Sequence, residues 1–70
     1  MWDKGLSNGY EWEVKHFDEG SVFGIDEGKI SKLFIYKDEE TVVAYDREWL
    51  KKPATKAVKE LYNQLVAKFN

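Results

Sequence analysis

A chain of 70 residues with a net charge of −2 makes one small domain, residues 1–70, with no spare core for a deep catalytic cavity. This charge argues against nucleic acid as the main partner, because a phosphate-binding surface normally carries a concentrated basic field. The chain has no cysteine and no apolar run near the roughly 20 residues of a membrane span. We therefore expect a soluble cytoplasmic protein that does not enter a membrane.

The first 17 residues divide at Asn8-Gly9, which is a turn signal. Residues 1–9 contain Gly5, Ser7, Asn8 and Gly9, so we expect a loose N-terminal arm. From Tyr10 to Phe17, apolar and charged residues alternate as in a strand with one buried face. We expect Trp12 and Val14 to face a helix.

Residues 18–29 combine three glycines with four acidic residues, but Val22, Phe23 and Ile25 interrupt this polarity. The segment is therefore either a short strand or an apolar flap. The glycines Gly20, Gly24 and Gly28 are spaced four apart, which fits neither a dinucleotide fingerprint nor a P-loop.

The segment from Ile30 to Lys37 is apolar on both faces, as expected of a strand at the centre of a sheet. After a turn at residues 38–40, the segment from Thr41 to Asp46 forms the next predicted strand. Its alternation predicts that two residues face the helix, Val43 and Tyr45, and two face the opposite side, Val42 and Ala44.

After Pro53, which suits the first turn of a helix, apolar residues recur every three to four positions over residues 54–69. The apolar stripe consists of Ala57, Val58, Leu61, Tyr62, Leu65 and Phe69. The predicted fold is therefore α+β, an antiparallel β-meander of three or possibly four strands within residues 10–46. One C-terminal α-helix packs on one face of this sheet.

Two segments carry a recognisable pattern. The first runs from Phe23 to Ile35 and includes Gly-Ile, two residues, Gly, Lys and Ile-Ser-Lys-Leu, and the second is Tyr45-Asp46-Arg47-Glu48-Trp49. Together they resemble a family of small, uncharacterised bacterial and prophage-associated proteins, a domain of unknown function, in which a glycine is expected in place of Glu48. The resemblance implies no activity. A glycine with positive φ at position 48 in relatives would imply a different turn here, because Glu is strained at such an angle.

The chemistry-bearing residues do not form a recognisable catalytic or metal motif. His16 is the only histidine, and no serine lies in a nucleophile-elbow context. The predicted topology gathers charged residues at one end of the sheet, where we expect a solvated acidic loop without a metal ion or cofactor. The residues concerned are Asp18, Glu19, Asp26, Glu27, Asp46, Arg47 and Glu48. We therefore expect no catalytic, cofactor-binding or metal-binding residues and no enzyme activity.

The sheet face away from the helix is the candidate interaction surface, because one helix covers only one side of a sheet. Its candidate residues are Phe34, Tyr36, Val42, Lys32 and Glu13. Either residues 1–9 or residues 18–29 cover this face, through Trp2, Leu6 or Phe23, or the face binds an unknown protein partner or a weak homodimer. A less favoured alternative is weak single-stranded nucleic-acid binding on the two aromatic rings, assisted by Lys15, Lys32 and Lys37.

Overall fold

The computed structural model describes residues 1–70 as a five-stranded antiparallel sheet with one helix, an α+β fold. The strand order in the sheet equals the chain order, so the predicted meander is confirmed, but the sheet has more strands than predicted. The strands are β1 Trp2–Ser7, β2 Tyr10–His16, β3 Ile30–Lys37, β4 Glu40–Asp46 and β5 Trp49–Lys51. The helix α1 spans Lys56–Phe69, and a short 3₁₀ turn spans Ile25–Glu27.

The predicted loose arm is wrong, because residues 2–7 form the edge strand β1, paired antiparallel to β2. The strand lacks apolar alternation because its positions on the helix side need no large side chains. At Gly5 the ring of Trp12 fills that space, and a Cβ atom would lie 2.6 Å from it. Asp3 instead meets His16 across the two strands, 2.6 Å from carboxylate oxygen to Nε2.

Two hairpins have two-residue turns with positive φ at both positions, which matches the right-handed twist of the strands. The first is Asn8 and Gly9, with φ of 51° and 83°. The second is Asp38 and Glu39, with φ of 51° and 67°, in a conformation that glycine or asparagine adopts more easily. The Asn-Gly turn is the sequence signal that identifies β1.

The core lies between the sheet and α1, on the face predicted from Trp12 and Val14. Leu33 and Ile35 of β3 are fully buried there, and the helix contributes Leu61 and Leu65. Trp12 packs against Phe69, with ring centroids 5.8 Å apart. Ten residues make up the buried cluster, Val14, Ile25, Ile30, Leu33, Ile35, Val43, Tyr45, Val58, Leu61 and Leu65.

The helix begins two residues later than predicted. Thr55 is its N-cap, and the Thr55 hydroxyl accepts a hydrogen bond from the Val58 amide at 3.3 Å. Pro53 therefore lies outside the helix and not in its first turn. Ala57 is exposed, so the stripe that faces the sheet starts at Val58.

The segment 18–29 is neither a strand nor a flap over the second face. Ile25 inserts into the core with 1% of its surface exposed. The side chain of Asn70, after the last turn of α1, holds the segment in place. Its amide oxygen accepts from the Ile30 N–H at 3.1 Å, and its amide nitrogen donates to the Ile25 carbonyl at 3.0 Å. Gly28 is needed beneath this clamp, because a Cβ atom there would lie 2.1 Å from Asn70.

The turn between β4 and β5 has its left-handed residue at Arg47, with φ of 63°, and not at Glu48. The Arg47 N–H donates to the Ser31 carbonyl at 3.0 Å, which holds the turn against β3. Glu48 is therefore accommodated without positive φ. β5 is short, and its Trp49 packs edge-on against the core residue Tyr45, with ring centroids 5.1 Å apart.

Replacing Leu61 or Leu65 by Ala is expected to lower the free energy of unfolding by about 2 to 5 kcal/mol, through lost burial and a new cavity. The matched control is Gln64→Ala on the exposed side of the same helix, which should change it by less than about 0.5 kcal/mol. Urea melts measure the difference. Equal small losses in all three variants would contradict the packing of α1 on the sheet.

Replacing Asn70 by Ala removes both hydrogen bonds of the clamp and should cost about 1 to 3 kcal/mol, because the Ile30 N–H loses its acceptor and the Ile25 carbonyl keeps only the Gly28 N–H at 2.8 Å. Amide hydrogen exchange at Ile30 should accelerate accordingly. Asn63→Ala, at an exposed helix position, is the control. Unchanged exchange at Ile30 in Asn70→Ala would show that the clamp does not hold the loop.

Candidate functional site

The sheet face opposite α1, called the open face below, is built from three cross-strand rows. The first row runs Trp2, Lys15, Lys32, Asp46. The second runs Lys4, Glu13, Phe34, Ala44, and the third runs Leu6, Glu11, Tyr36, Thr41. The alternation of β-strand side chains places these residues on one surface, because directly opposite residues point to the same side.

An aromatic pair lies at the centre of the open face. The rings of Phe34 and Tyr36 stack with centroids 6.3 Å apart and an interplanar angle of 15°. Both side chains are half-buried by their neighbours on the sheet. Burial, followed by the negative charge of Glu13 and its hydrogen bonding, raises the pKa of Tyr36 above 10.0. The Tyr36 hydroxyl therefore remains protonated at neutral pH.

Charge is distributed unevenly over the open face. The first row carries two lysines, of which Lys32 pairs with Asp46 at 3.5 Å. The acidic residues Glu11 and Glu13 occupy the other two rows on β2. The rings are therefore flanked by charges of both signs, in an arrangement typical of the rim around an apolar contact patch.

No segment of the chain covers the open face. Residues 2–7 extend the sheet sideways instead of folding over it, and Trp2 and Leu6 are 50% and 70% exposed. Phe23 is 58% exposed and borders the first row, in a cleft with Lys15 and Lys32, while Ile25 of the same segment inserts on the helix side. Neither predicted source of intramolecular cover therefore extends over the aromatic pair.

Val42 does not lie on the open face, contrary to the prediction. The pairing of β3 with β4 shifts by one residue between Ile35 and Tyr36, where Ile35 pairs with Val43 and Tyr36 pairs with Thr41. This bulge leaves Val42 without a partner on β3 and turns it to the helix side, where it packs against the core. The other four candidates, Phe34, Tyr36, Lys32 and Glu13, share the open face.

The three rows also show which charged residues surround the two rings, and these charges bear on nucleic-acid stacking. Lys37, one of three lysines expected to assist, places its Nζ atom 4.7 Å from the centre of the Tyr10 ring, next to the core. Glu13 lies directly opposite Phe34, and Glu11 lies opposite Tyr36. Carboxylates therefore occupy the positions beside the rings where a phosphate backbone would need cations.

The end of the sheet where the acidic residues of segments 18–29 and 46–48 lie also has a cleft lined by cations. Lys15, Lys32 and Arg47 border this cleft of about 140 Å³, together with Phe17 and Phe23. Lys15 and Arg47 lie over the two phenylalanine rings, at 5.5 and 6.0 Å from the ring centres. No three His, Asp or Glu side chains come together in a geometry that could hold a metal ion.

His16 lies on the helix side with defined partners. It contacts the Asp3 carboxylate, and its ring lies 4.9 Å from that of Phe69. Sequence reasoning missed the contribution of β1, through Trp2, Lys4 and Leu6, to the open face. The Asn-Gly turn was the available signal.

A family model described as a domain of unknown function (DUF7678) matches residues 1–70. The chain belongs to this family. No curated protein and no solved structure matches the chain. The domain also has no helix that is long and apolar enough to cross a membrane.

Replacing Glu13 by Gln is expected to lower the pKa of Tyr36 toward 10.0, because the neighbouring negative charge is removed while the burial remains. Ring NMR signals of Tyr36, followed through a pH titration, measure this shift. Glu11→Gln is the matched control and should leave the pKa nearly unchanged. Equal shifts in both variants would mean that Glu13 has no specific contact with Tyr36.

Raised tyrosine pKa values determine whether the free energy of unfolding rises or falls at alkaline pH. The pKa values of Tyr36, Tyr45 and Tyr62 are all raised in the folded state, chiefly by burial. Because the unfolded chain then loses its tyrosine protons first, the free energy of unfolding should fall as the pH rises above about 10.

Proposed function

We propose that this domain is a non-catalytic interaction module that binds a protein through its open face. The observation that carries the proposal is the stacked pair of Phe34 and Tyr36 on a sheet face that no part of the chain covers. Exposed apolar patches with a charged rim commonly mark association surfaces. The first and third rows supply Trp2 and Leu6 as further exposed apolar contacts.

A non-catalytic role is supported by the engagement of the groups that would otherwise be candidates for chemistry. His16 is bound to Asp3 and stacked on Phe69. The Ser31 hydroxyl donates to the Lys15 carbonyl, and the Ser21 hydroxyl accepts from the Phe23 N–H. Neither of these two serines therefore faces a base within hydrogen-bond reach, as nucleophilic catalysis requires.

A protein partner is favoured over single-stranded nucleic acid because of the carboxylates beside the rings. Glu11 and Glu13 would repel phosphates, whereas a protein surface can supply cations to both. The absence of cysteine supports an assignment to the cytoplasm. The motif resemblance supports a bacterial or prophage context.

Replacing Phe34 and Tyr36 together by Ser should lower the free energy of unfolding by less than about 2 kcal/mol, because both rings are already partly in water. Ile35→Ala, on the buried side of the same strand, is the reference and should cost about 2 to 5 kcal/mol. Thermal and urea melts compare the two. A larger loss in the double variant than in Ile35→Ala would place the rings in the core and end the proposal.

Binding itself is tested by site-specific photo-crosslinking in cells, with p-benzoylphenylalanine replacing Phe34. We expect one discrete crosslinked protein species, which is lost when Glu13 and Lys32 are both replaced by Ser. The control position is Asn63, on the exposed side of α1. Equal crosslinking from both positions, or a product that contains nucleic acid, would count against a protein partner at the open face.

A further inference from the structure

The outer edge of β1 carries hydrogen-bonding groups with no partner in the chain. His16 and Met1 exchange two hydrogen bonds, at 2.9 and 3.1 Å, so they form a hydrogen-bonded pair of the ladder between β1 and β2. In an antiparallel ladder such pairs alternate along the strand. The backbone groups of Trp2, Lys4 and Leu6 therefore point away from β2, toward solvent.

This edge has few of the features that usually prevent further strand pairing. β1 has no proline and is six residues long, and no bulge interrupts its pairing with β2. The side chains of the three outward residues all lie on the open face. Trp2 and Leu6, at 50% and 70% exposure, flank the charged Lys4.

Lys4 is the charged residue among the three outward residues of β1. It belongs to neither of the two ion pairs in the structure, which join Asp3 to His16 and Lys32 to Asp46. Its cross-strand neighbour Glu13 interacts with Tyr36. Lys4 borders two grooves of about 410 and 270 Å³, the first with the apolar residues Leu6 and Trp12 and the second with Trp2, and Glu13 lines both.

A second copy of the chain fits this edge poorly in the antiparallel register that pairs all three outward residues. In such a two-fold sheet the two helices lie on the same side, so residues that face each other must share a face. The register that pairs all three outward residues is centred on Lys4. It places Lys4 directly opposite Lys4 of the second copy, which is destabilising for like charges. Lys4 thus disfavours self-pairing while leaving the edge open to a partner of opposite charge.

We propose that the edge of β1 binds an extended segment of the partner protein as a sixth strand, with an acidic residue opposite Lys4 and apolar residues two positions before and after it. The backbone of the segment pairs with Trp2, Lys4 and Leu6. Its apolar side chains enter the two grooves on either side of Lys4. This inference rests on the proposed function and names the chemistry of the partner.

The probe is a capped peptide, Thr-Val-Thr-Glu-Thr-Val-Thr, and the matched control peptide has Lys in place of Glu. Titrations to millimolar concentration, followed by amide NMR shifts, should move β1 resonances in the wild type. The Lys peptide should bind roughly 2- to 30-fold more weakly. The Lys4→Glu variant should bind the Lys peptide more tightly than the Glu peptide. Nonspecific binding to an exposed strand edge would not reverse the preference in this way.

One further variant of the protein and one modified peptide separate the possible outcomes. Lys4→Pro removes an outward N–H that β2 does not use, so both peptides should lose binding while the melting temperature stays within a few degrees. If that variant does not fold, a probe peptide methylated on its alternate backbone nitrogens replaces it and should not bind. Equal binding of both peptides, or none, overturns the inference, as does self-association of the wild type through β1. In each of these cases the crosslinking from position 34 still reports independently on the open face.

Discussion

The structure depends on the contact between one helix and one face of a sheet. Leu33 and Ile35 of the central strand are buried against Leu61 and Leu65, and the chain has no second helix to cover the other side. A two-layer domain of this size can therefore be well packed on one side only. The half-buried aromatic pair and the charged rows around it follow from this arrangement.

The sequence predicts the elements whose residues follow a clear apolar period. β3 is apolar on both faces, and α1 carries the stripe of Val58, Leu61 and Leu65, so the central strand and the helix are found within two residues of their ends. β1 was missed for a physical reason. Its helix-side positions hold Asp3, Gly5 and Ser7, which contribute an ion pair or leave room for Trp12 instead of adding apolar surface. An apolar period identifies a strand by its own buried side chains. Here the buried side chain over Gly5 is Trp12, which belongs to the neighbouring strand.

The central residues of the candidate site were predictable from the sequence, whereas the residues at its borders were not. Phe34 and Tyr36 follow from strand alternation alone, and the register of β2 places Glu13 opposite Phe34 and Glu11 opposite Tyr36. The position of Val42 could not be derived, because one unpaired residue in β4 reverses the side on which it lies. The positive φ at Arg47 likewise depends on its hydrogen bond to Ser31, a contact between strands that local preference does not encode.

The clamp made by Asn70 joins two parts of the chain that would otherwise open independently. The last turn of a helix frays easily, and so does a twelve-residue glycine-rich loop. Here one side chain links them across sequence separations of 40 and 45 residues. Fraying of the helix end therefore breaks both bonds to the loop, and opening of the loop leaves the Asn70 side chain without its two partners. The clamp thus couples two local openings, so that each segment opens more readily when the other is already open.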